Sequence, residues 1–323
     1  MDVYLGVDLG AVTTKLAVVS GAEEVLCSVY SRTQGKPIAV VQEGLRRVKD
    51  SLSPGVEIRG VGATGSARHL AGVLLGADVV KNEITSHAVA TLRYVPGAQT
   101  IFEIGGQDSK IILLREGFAT DFAMNSVCAA GTGSFLDHQA TRLGMSIEEF
   151  AEKSLQSTSP VRIAGQCTVF AESDMIHKQQ MGHPIEDILY GLCQALARNY
   201  LNSVAVGKPI LSPVVFQGGV AFNKGMVRAF EEELGAKIIV PPHHEVMGAI
   251  GAALLAREEM GFTGGKTSFK RFDVSEANYQ GSSFECKACP SSCEIAQICL
   301  DGGVVGWWGG RCDMWDRVPT GKA

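Results

Sequence analysis

The stretch VYLGVDLGAVTTKLAVVS, residues 3–20, decides the fold. It begins as a buried strand, enters a glycine turn directly after Asp8, and continues as a second strand from Lys15. The apolar periodicity that follows predicts a strand over 24–30, a helix over 38–51 and a strand over 58–63. The sequence therefore predicts a three-stranded meander that leads into an α/β unit.

A weakly similar copy of this stretch is TIFEIGGQDSKIILL, residues 100–114. It repeats the order of apolar strand, acidic residue, glycine turn and strand. Two such units naturally face each other across a cleft, and the boundary falls near 95–97. We therefore expect an α/β fold with one domain over 1–97 and a second over 98–260. The apolar helix 247–260 is expected to pack back on the first domain, and 261–323 to form a linker and a Cys-rich extension.

Length and composition narrow the possible functions. The chain has 323 residues, 46% of them hydrophobic and 20% charged, which fits a globular protein of about two domains. The absence of a run of 18 apolar residues argues against a membrane span, and the net charge of −5 argues against nucleic-acid binding. Nine cysteines without a secretion signal predict a reducing, cytoplasmic compartment, where metal or redox use is more common than disulfides.

Three glycine turns carry the residues expected to bind a nucleotide. Backbone N–H groups approach phosphate oxygens most closely where no Cβ intervenes, and nearby carboxylates hold Mg²⁺ largely through water. The turn at Gly218, which opens a helix, is expected to bind the adenosine side. The candidate nucleotide-binding residues are Gly10, Thr13, Thr14, Lys15, Gly105, Gly106, Gln107, Lys110, Gly218, Gly219 and Asn223.

The order of these turns resembles that of the acetate and sugar kinase, heat-shock ATPase and actin superfamily. The resemblance implies two ribonuclease-H-like domains that close over ATP or ADP. Asp8 and Asp108, each inside a phosphate turn, are the stronger candidate catalytic residues. Glu83 matches the position of an acid that often orients the attacking water in the superfamily, and a helix-capping or surface role is its alternative. Glu103 occupies a place where relatives often have aspartate.

Two cysteines, Cys128 and Cys167, precede predicted helices over 135–143 and 169–180. The N-terminus of a helix favours thiolates and bound anions. A [4Fe–4S] cluster usually takes four cysteine ligands, so a pair of cysteines needs a two-fold dimer to complete the set. Spacing alone leaves two buried or reactive cysteines without a cluster as the alternative.

The sequences around these cysteines closely resemble the activators of 2-hydroxyacyl-CoA dehydratases, a family that also contains benzoyl-CoA reductase ATPase subunits and double-cubane cluster protein reductases. The resemblance covers about residues 3–258. The segments that carry it are IGGQDSK (104–110), NSVCAAGTGSFL (125–136), CTVFAES (167–173) and GGVAFN (218–223).

This second resemblance implies an ATP-dependent reductase of anaerobic metabolism. It implies a homodimer with one bridging [4Fe–4S] cluster, ligated by Cys128 and Cys167 of each subunit. ATP hydrolysis would rearrange the cluster-facing helices, and the cluster would pass a low-potential electron to an iron–sulfur partner, either dehydratase-like or a double-cubane protein. The implied donor is a ferredoxin or flavodoxin. A small-molecule kinase of the same superfamily, without a redox role, is the alternative function.

The C-terminal extension is rich in cysteine. Thiolates two and three residues apart can hold Zn²⁺ or a second iron–sulfur cluster, with reduced free thiols as the alternative. The sequence does not determine which four of the five cysteines would bind a metal. The five are Cys286, Cys289, Cys293, Cys299 and Cys312.

Overall fold

A computed structural model describes residues 1–125, 131–165, 167–300, 302–312 and 314–315. Contacts divide the chain into two compact units. Unit 1 contains Met1–Ser86 and Gly248–Ala323, and unit 2 contains His87–Met247. The sequence-based domain boundaries near 97 and 260 stay a prediction. Within the described ranges, no helix has the length and apolarity needed to cross a bilayer.

Before the extension, the strands and helices occur along the chain as two successive sets with a similar order. The first is β1 (Asp2–Leu9), β2 (Thr13–Ser20), β3 (Val25–Arg32), α1 (Pro37–Ser51), β4 (Glu57–Thr64), α2 (Arg68–Leu75), β5 (Val79–Val80) and α3 (Glu83–Tyr94). The second is β6 (Thr100–Ile104), β7 (Ser109–Arg115), β8 (Phe118–Met124), α4 (Gly133–Arg142), α5 (Ile147–Ser154), α6 (Thr168–Gln180), α7 (Ile185–Ser203), β9 (Val214–Gln217), α8 (Lys224–Leu234), β10 (Ile238–Ile239) and α9 (Met247–Thr263).

The two sheets have equivalent strand orders. In unit 1 the order is β3-β2-β1-β4-β5, and in unit 2 it is β8-β7-β6-β9-β10. In each, the first three strands pair antiparallel and the last two join in parallel. The predicted meander and α/β fold class are therefore confirmed. In each sheet, a strand that follows a helical crossover pairs in parallel with the first strand of the unit. β1 and β6 therefore have neighbouring strands on both sides, which explains their burial.

Helix α9 covers one face of the sheet in unit 1. A Cβ added at Gly6 would lie 1.8 Å from the Ala249 carbonyl oxygen, and one at Gly62 would lie 2.0 Å from the Ala252 carbonyl oxygen. Only glycine permits the helix backbone to approach the strands this closely. The other face packs against α1 and α2, whose buried residues share a core with β1, β2 and β4.

Unit 2 has an aromatic centre. Phe102 of β6, Tyr200 of α7 and Phe230 of α8 stack with ring centroids 4.9–5.4 Å apart, and Phe216 of β9 joins Phe230 at 5.2 Å. Tilted and edge-on aromatic contacts of this kind add stabilisation beyond simple burial. They bind α7 and α8 to the two central strands, which end at the second and third glycine turns.

The extension forms a separate small sheet, and the chain leading to it packs within unit 1. Its antiparallel strands are β11 (Tyr279–Glu285), β12 (Glu294–Leu300) and β13 (Gly303–Trp308). The Asp78 carboxylate accepts hydrogen bonds from the Ser268 N–H and the Thr267 hydroxyl, both at 2.7 Å. The Gln42 amide donates to the carbonyls of Val274 and Ala277. The extension is therefore built onto the core of unit 1.

Candidate nucleotide-binding turns and cysteine helices

The first glycine turn contains a buried acid–lysine pair. Asp8 at the end of β1 lies directly across the strands from Lys15 on β2, and Lys15 Nζ is 3.0 Å from Asp8 Oδ2. The Gly10 N–H closes the turn by donating to the Thr13 carbonyl at 3.0 Å. The Thr33 hydroxyl donates to the Gly10 carbonyl at 2.9 Å, which holds the turn from outside.

A second element, the end of β4, borders the same turn. Gly65 has a φ of +94°, and a Cβ there would lie 2.6 Å from Asp8 Oδ1. The neighbouring Thr64 hydroxyl is buried and has no hydrogen-bond partner among the described residues. A buried hydroxyl without a partner is costly, and a ligand oxygen or hydrated cation would satisfy it. Gly65 and Thr64 were not identified from sequence.

The second turn repeats this arrangement in unit 2. Glu103 on β6 pairs across the strands with Lys110 on β7, with Nζ 3.0 Å from Oε2, and both side chains are buried. The Gly105 N–H donates to the Asp108 carbonyl at 2.9 Å. Gly218, with φ of +94°, takes the place of Gly65, since its added Cβ would lie 2.9 Å from Glu103 Oε1.

The strand registers show which acidic residues are equivalent in the two units. Glu103 corresponds to Asp8, because each acid precedes its paired lysine by seven residues; Asp108 corresponds in position to Thr13. Sequence analysis left the role of Glu103 open and favoured Asp108. The signal that identifies Glu103 is the seven-residue spacing from acid to lysine, which both copies of the internal repeat share. The catalytic role of Asp108, which is half-buried in the turn, stays a prediction.

The third turn is anchored by a buried polar network. Gln217, directly before Gly218, accepts a hydrogen bond from the Thr91 hydroxyl and pairs with His87 Nδ1, both at 2.8 Å. The Gly218 N–H donates to the His244 carbonyl at 2.9 Å. Buried networks with all partners in place fix one conformation. These contacts join residues far apart in sequence, so no local motif announced them.

The remaining candidates of the nucleotide site lie in defined places. Glu83 begins α3 and is half-buried, while Asn82 caps the helix by accepting the Thr85 N–H at 2.9 Å. Asn223 caps α8, since its Oδ1 accepts the N–H groups of Gly225 and Met226. Its amide therefore has a structural role. The nucleotide-binding roles of Glu83 and Asn223 stay predictions.

One of the two predicted cluster cysteines has a described environment. Cys128 lies outside the described residues. Cys167 is half-buried at the N-cap of α6, beside a small depression that Phe135 of α4 also lines. The first turn of α6 exposes two apolar side chains, Val169 at 67% and Phe170 at 65%. Such exposed apolar side chains beside a thiol suit a protein contact.

The segment that carries Cys128 is hydrogen-bonded at both ends to the second glycine turn. On its N-terminal side, Asn125 Oδ1 accepts the Ser109 N–H at 2.7 Å, and its Nδ2 donates to the Gln107 carbonyl at 3.3 Å. On the other side, the first N–H groups of α4, from Gly133 and Ser134, donate to the carbonyls of the 105–106 turn at 2.9 and 2.8 Å. A movement of the turn would displace both ends.

Asn199 of α7 contacts both cysteine-bearing segments. Its Nδ2 donates to the Gly165 carbonyl at 2.6 Å, two residues before Cys167. A Cβ added at Gly131 would lie 3.2 Å from its Oδ1, which places that backbone against the same amide. Farther along, Arg142 of α4 forms a salt bridge with Glu172 of α6. Asn199 thus contacts the segments that precede both helices, and the salt bridge joins the end of α4 to the N-terminal half of α6.

Two other cysteines belong to the packed interior. Burial raises the pKa of Cys193, in the middle of α7, to about 12. Burial also raises the pKa of Cys27 on β3. A thiol that stays protonated is a poor nucleophile and metal ligand. Both residues therefore act as small apolar side chains.

The extension cysteines are distributed over the small sheet. Cys286 is buried at the end of β11, Cys289 and Cys293 lie in the connection to β12, Cys299 lies on β12, and Cys312 follows β13. Hydrogen bonds to Ser291 lower the pKa of Cys289. No three His, Cys, Asp or Glu side chains of the described ranges are arranged as a metal site.

The chain belongs to the BadF/BadG/BcrA/BcrD ATPase family, whose profile matches residues 5–256. A relative from Acidaminococcus fermentans, named (R)-2-hydroxyglutaryl-CoA dehydratase activating ATPase, is 36% identical over 264 residues. That match covers 79% of this chain and 98% of the relative. The family resemblance drawn from the sequence is thereby confirmed.

Solved structures match the same part of the chain. The activator of the 2-hydroxyisocaproyl-CoA dehydratase from Clostridium difficile, with bound ADPNP, has a TM-score of 0.73 and 32% identity, covering 81% of this chain and 97% of that one. A ROK family glucokinase from Streptomyces griseus has a TM-score of 0.52 and 14% identity, covering 79% and 99%. The similarity to the glucokinase confirms only that the two chains share a fold.

Proposed function

We propose that this chain hydrolyses ATP to drive the transfer of a low-potential electron to an iron–sulfur partner protein. Membership of an ATPase family and the name of the A. fermentans relative support the nucleotide part. The observation that carries the coupling is the set of hydrogen bonds from the 105–109 turn to both ends of the Cys128 segment.

The residues of the turns suit ATP or ADP with Mg²⁺. No Cβ at Gly10 or Gly105 obstructs the approach of phosphate oxygens to the turns, although the N–H groups of these two glycines themselves close the turns. Asp8 offers a carboxylate. The unpartnered Thr64 hydroxyl supplies a further oxygen beside Asp8. Magnesium would neutralise phosphate charge when bound. Asp8, Asp108 and Glu83 are the proposed acids for ordering hydrolytic water, with Glu103 holding Lys110 in place.

Cys128 and Cys167 are the proposed ligands of a [4Fe–4S] cluster. The described thiol, Cys167, fits this role because the N-terminus of α6 stabilises an anion and the thiol is partly accessible. A cluster bound there would accept and donate one electron. Two ligands per chain require a homodimer to supply four, and the exposed Val169 and Phe170 are suited to that contact.

The coupling follows from the contacts of unit 2. Loss of the terminal phosphate would change the hydrogen bonding of the 105–109 turn, and the bonded Asn125 and Gly133 would move with it. Asn199 would carry the displacement to the segment before Cys167. ATP and ADP would then stabilise different cluster environments, which is the requirement for driving electron transfer.

The proposed partners follow from the same family. The acceptor is an iron–sulfur enzyme of the 2-hydroxyacyl-CoA dehydratase or double-cubane type, and the donor is a ferredoxin or flavodoxin. We propose a reducing cytoplasm as the compartment, because both the thiols and the cluster need one.

Anaerobic purification tests this function directly. The expected protein is brown, with about four iron and four sulfide per dimer. Cys128→Ser and Cys167→Ser should lose the iron, whereas Cys27→Ser, a cysteine on β3, should keep it. ATP should then accelerate reduction of the partner enzyme. A colourless, iron-free protein that phosphorylates a small molecule would instead identify the kinase of the same superfamily.

A further inference from the structure

The C-terminal sheet brings four of its five cysteines to one end. The β11–β12 hairpin continues beyond its last strand pair, Glu285 with Glu294, since the Cys286 N–H donates to the Cys293 carbonyl at 2.8 Å. Cys289 lies inside this connection, where its carbonyl accepts the Ser292 N–H at 3.3 Å. Three cysteines therefore belong to one tight hairpin loop.

The chain after β13 returns to the same end. A Cβ added at Gly309 would lie 2.7 Å from the Glu294 carbonyl oxygen, which places this backbone next to Cys293. Six residues later, the Trp315 indole Nε1 donates to Cys286 Sγ at 3.3 Å. Cys312 lies between these two contacts along the chain, so it belongs to the hairpin end of the sheet.

Cys299 lies elsewhere. It occupies the middle strand, opposite Gln280 on β11 and Val304 on β13. Its position is six residues along the chain from Cys293, which corresponds to roughly 20 Å of extended strand. A single ion contacts sulfur at about 2.3 Å, so Cys299 cannot share an ion with the hairpin end.

We propose that Cys286, Cys289, Cys293 and Cys312, and not Cys299, bind one structural Zn²⁺ ion. Four thiolates form a closed tetrahedral zinc site. The described thiols do not lie in ligand positions together, so zinc binding would require the hairpin loop and the segment around Cys312 to rearrange. The Trp315 indole N–H, which donates to Cys286 Sγ at 3.3 Å, would also hydrogen-bond a zinc-bound sulfur.

The hairpin end of the small sheet has a physical need for such an ion. Ile298, Tyr279 and Trp308 pack with the core of unit 1, whereas residues 287–292 of the hairpin loop are exposed. A loop with so little buried surface gains stability from a metal, because a structural zinc ion contributes its binding free energy to folding. A single ion also needs less space at Cys286, which is packed beside Trp315, than an iron–sulfur cube.

The test is the metal content of the full chain. Purified protein should contain about one zinc per chain, and Cys312→Ser should lower zinc affinity at least about tenfold. The matched control Cys299→Ser should bind zinc like the wild type, as should Cys167→Ser. Trp315→Phe keeps the ring contacts with Phe284 and Trp307 but removes the N–H bond, and should weaken zinc binding about tenfold.

Fluorescence provides a second measurement. All three tryptophans, Trp307, Trp308 and Trp315, lie in the extension, so their emission reports on this sheet and on its packing against unit 1. Zinc removal should change the emission, and added Zn²⁺ should restore it. Zinc loss in Cys299→Ser, zinc retention in Cys312→Ser, iron with sulfide at these cysteines, or a metal-free wild type would each overturn the proposal.

Discussion

Replacing Asn199 with alanine should weaken the link between the nucleotide and the cluster segment without affecting the acid–lysine pairs. Its amide donates to the Gly165 carbonyl at 2.6 Å and lies against Gly131, so it contacts the segments that follow Cys128 and precede Cys167. Asn199 lies on α7, whereas the two acid–lysine pairs join β1 to β2 and β6 to β7.

The size of the effect follows from the bond that is lost. A neutral hydrogen bond contributes about 1 kcal/mol net, which corresponds to about a fivefold change in an equilibrium at 25 °C. Coupling free energies between sites are typically about 1–3 kcal/mol, so one bond is a substantial share. We therefore expect the ATP-dependent change at the cluster to fall about fivefold.

The assay measures how fast an iron chelator removes iron from anaerobic protein in ATP and in ADP. The ratio of the two rates reports the nucleotide-dependent exposure of the cluster, and it needs no partner enzyme. Asn202→Ala is the matched control, because Asn202 lies on the same helix with its side chain exposed. ATP hydrolysis should stay within about twofold of wild type in both variants, because Asn199 and Asn202 lie on α7 and not in the glycine turns.

An unchanged rate ratio in Asn199→Ala, with iron content intact, would refute this path. So would an equal fall in Asn202→Ala, because that would assign the effect to α7 as a whole. A fall in ATP hydrolysis matching the fall in the ratio would show that the amide supports the nucleotide site instead.

Three further changes test the two turns and the stability of unit 2. Lys110→Met should destabilise the fold by about 3 kcal/mol in urea unfolding, because it removes the cation that pairs with the buried Glu103 carboxylate, and adding Glu103→Leu should recover most of the loss. Gly218→Ala should abolish binding of a fluorescent ATP analogue, because its Cβ would lie 2.4 Å from a carbonyl oxygen, whereas Gly235→Ala, also at a positive φ but in open space, should cost only about 1 kcal/mol of stability. Asp187→Asn should cost about 2 kcal/mol at pH 7 by thermal unfolding, because its carboxylate accepts three hydrogen bonds.

The pH dependence of the last variant has a defined sign. Hydrogen bonds from Ser157 and two backbone N–H groups lower the pKa of Asp187 in the folded state. Its contribution is therefore present above the unfolded pKa of about 4 and is lost as the pH falls through the lower folded pKa. Asp187→Asn should show a shallower stability loss on acidification. Parallel pH profiles for the two proteins would contradict that role, as equal damage from Gly218→Ala and Gly235→Ala would contradict the turn argument.

The sequence by itself determined the strands, the glycine turns and the family. Strand periodicity and the acid–glycine–lysine order are local patterns, and the copy at 100–114 repeats the pattern of 3–20 closely enough to predict equivalent units. The helices after Cys128 and Cys167 were also predicted within two residues of their observed starts. These features depend on neighbours along the chain, so the chain alone reveals them.

The tertiary structure decided which distant residues meet. It paired Glu103 with Lys110 across two strands, placed Gly65 and Gly218 against the two acids, and anchored the third turn through Gln217. It also separated Cys312 from Cys299, although both follow the hairpin cysteines in sequence.

Such choices arise from strand register and from close backbone approach, which depend on how whole elements pack and not on any local spacing. For that reason the chemistry of the turns was readable from the sequence, whereas the path between the turns and the cysteines required the fold.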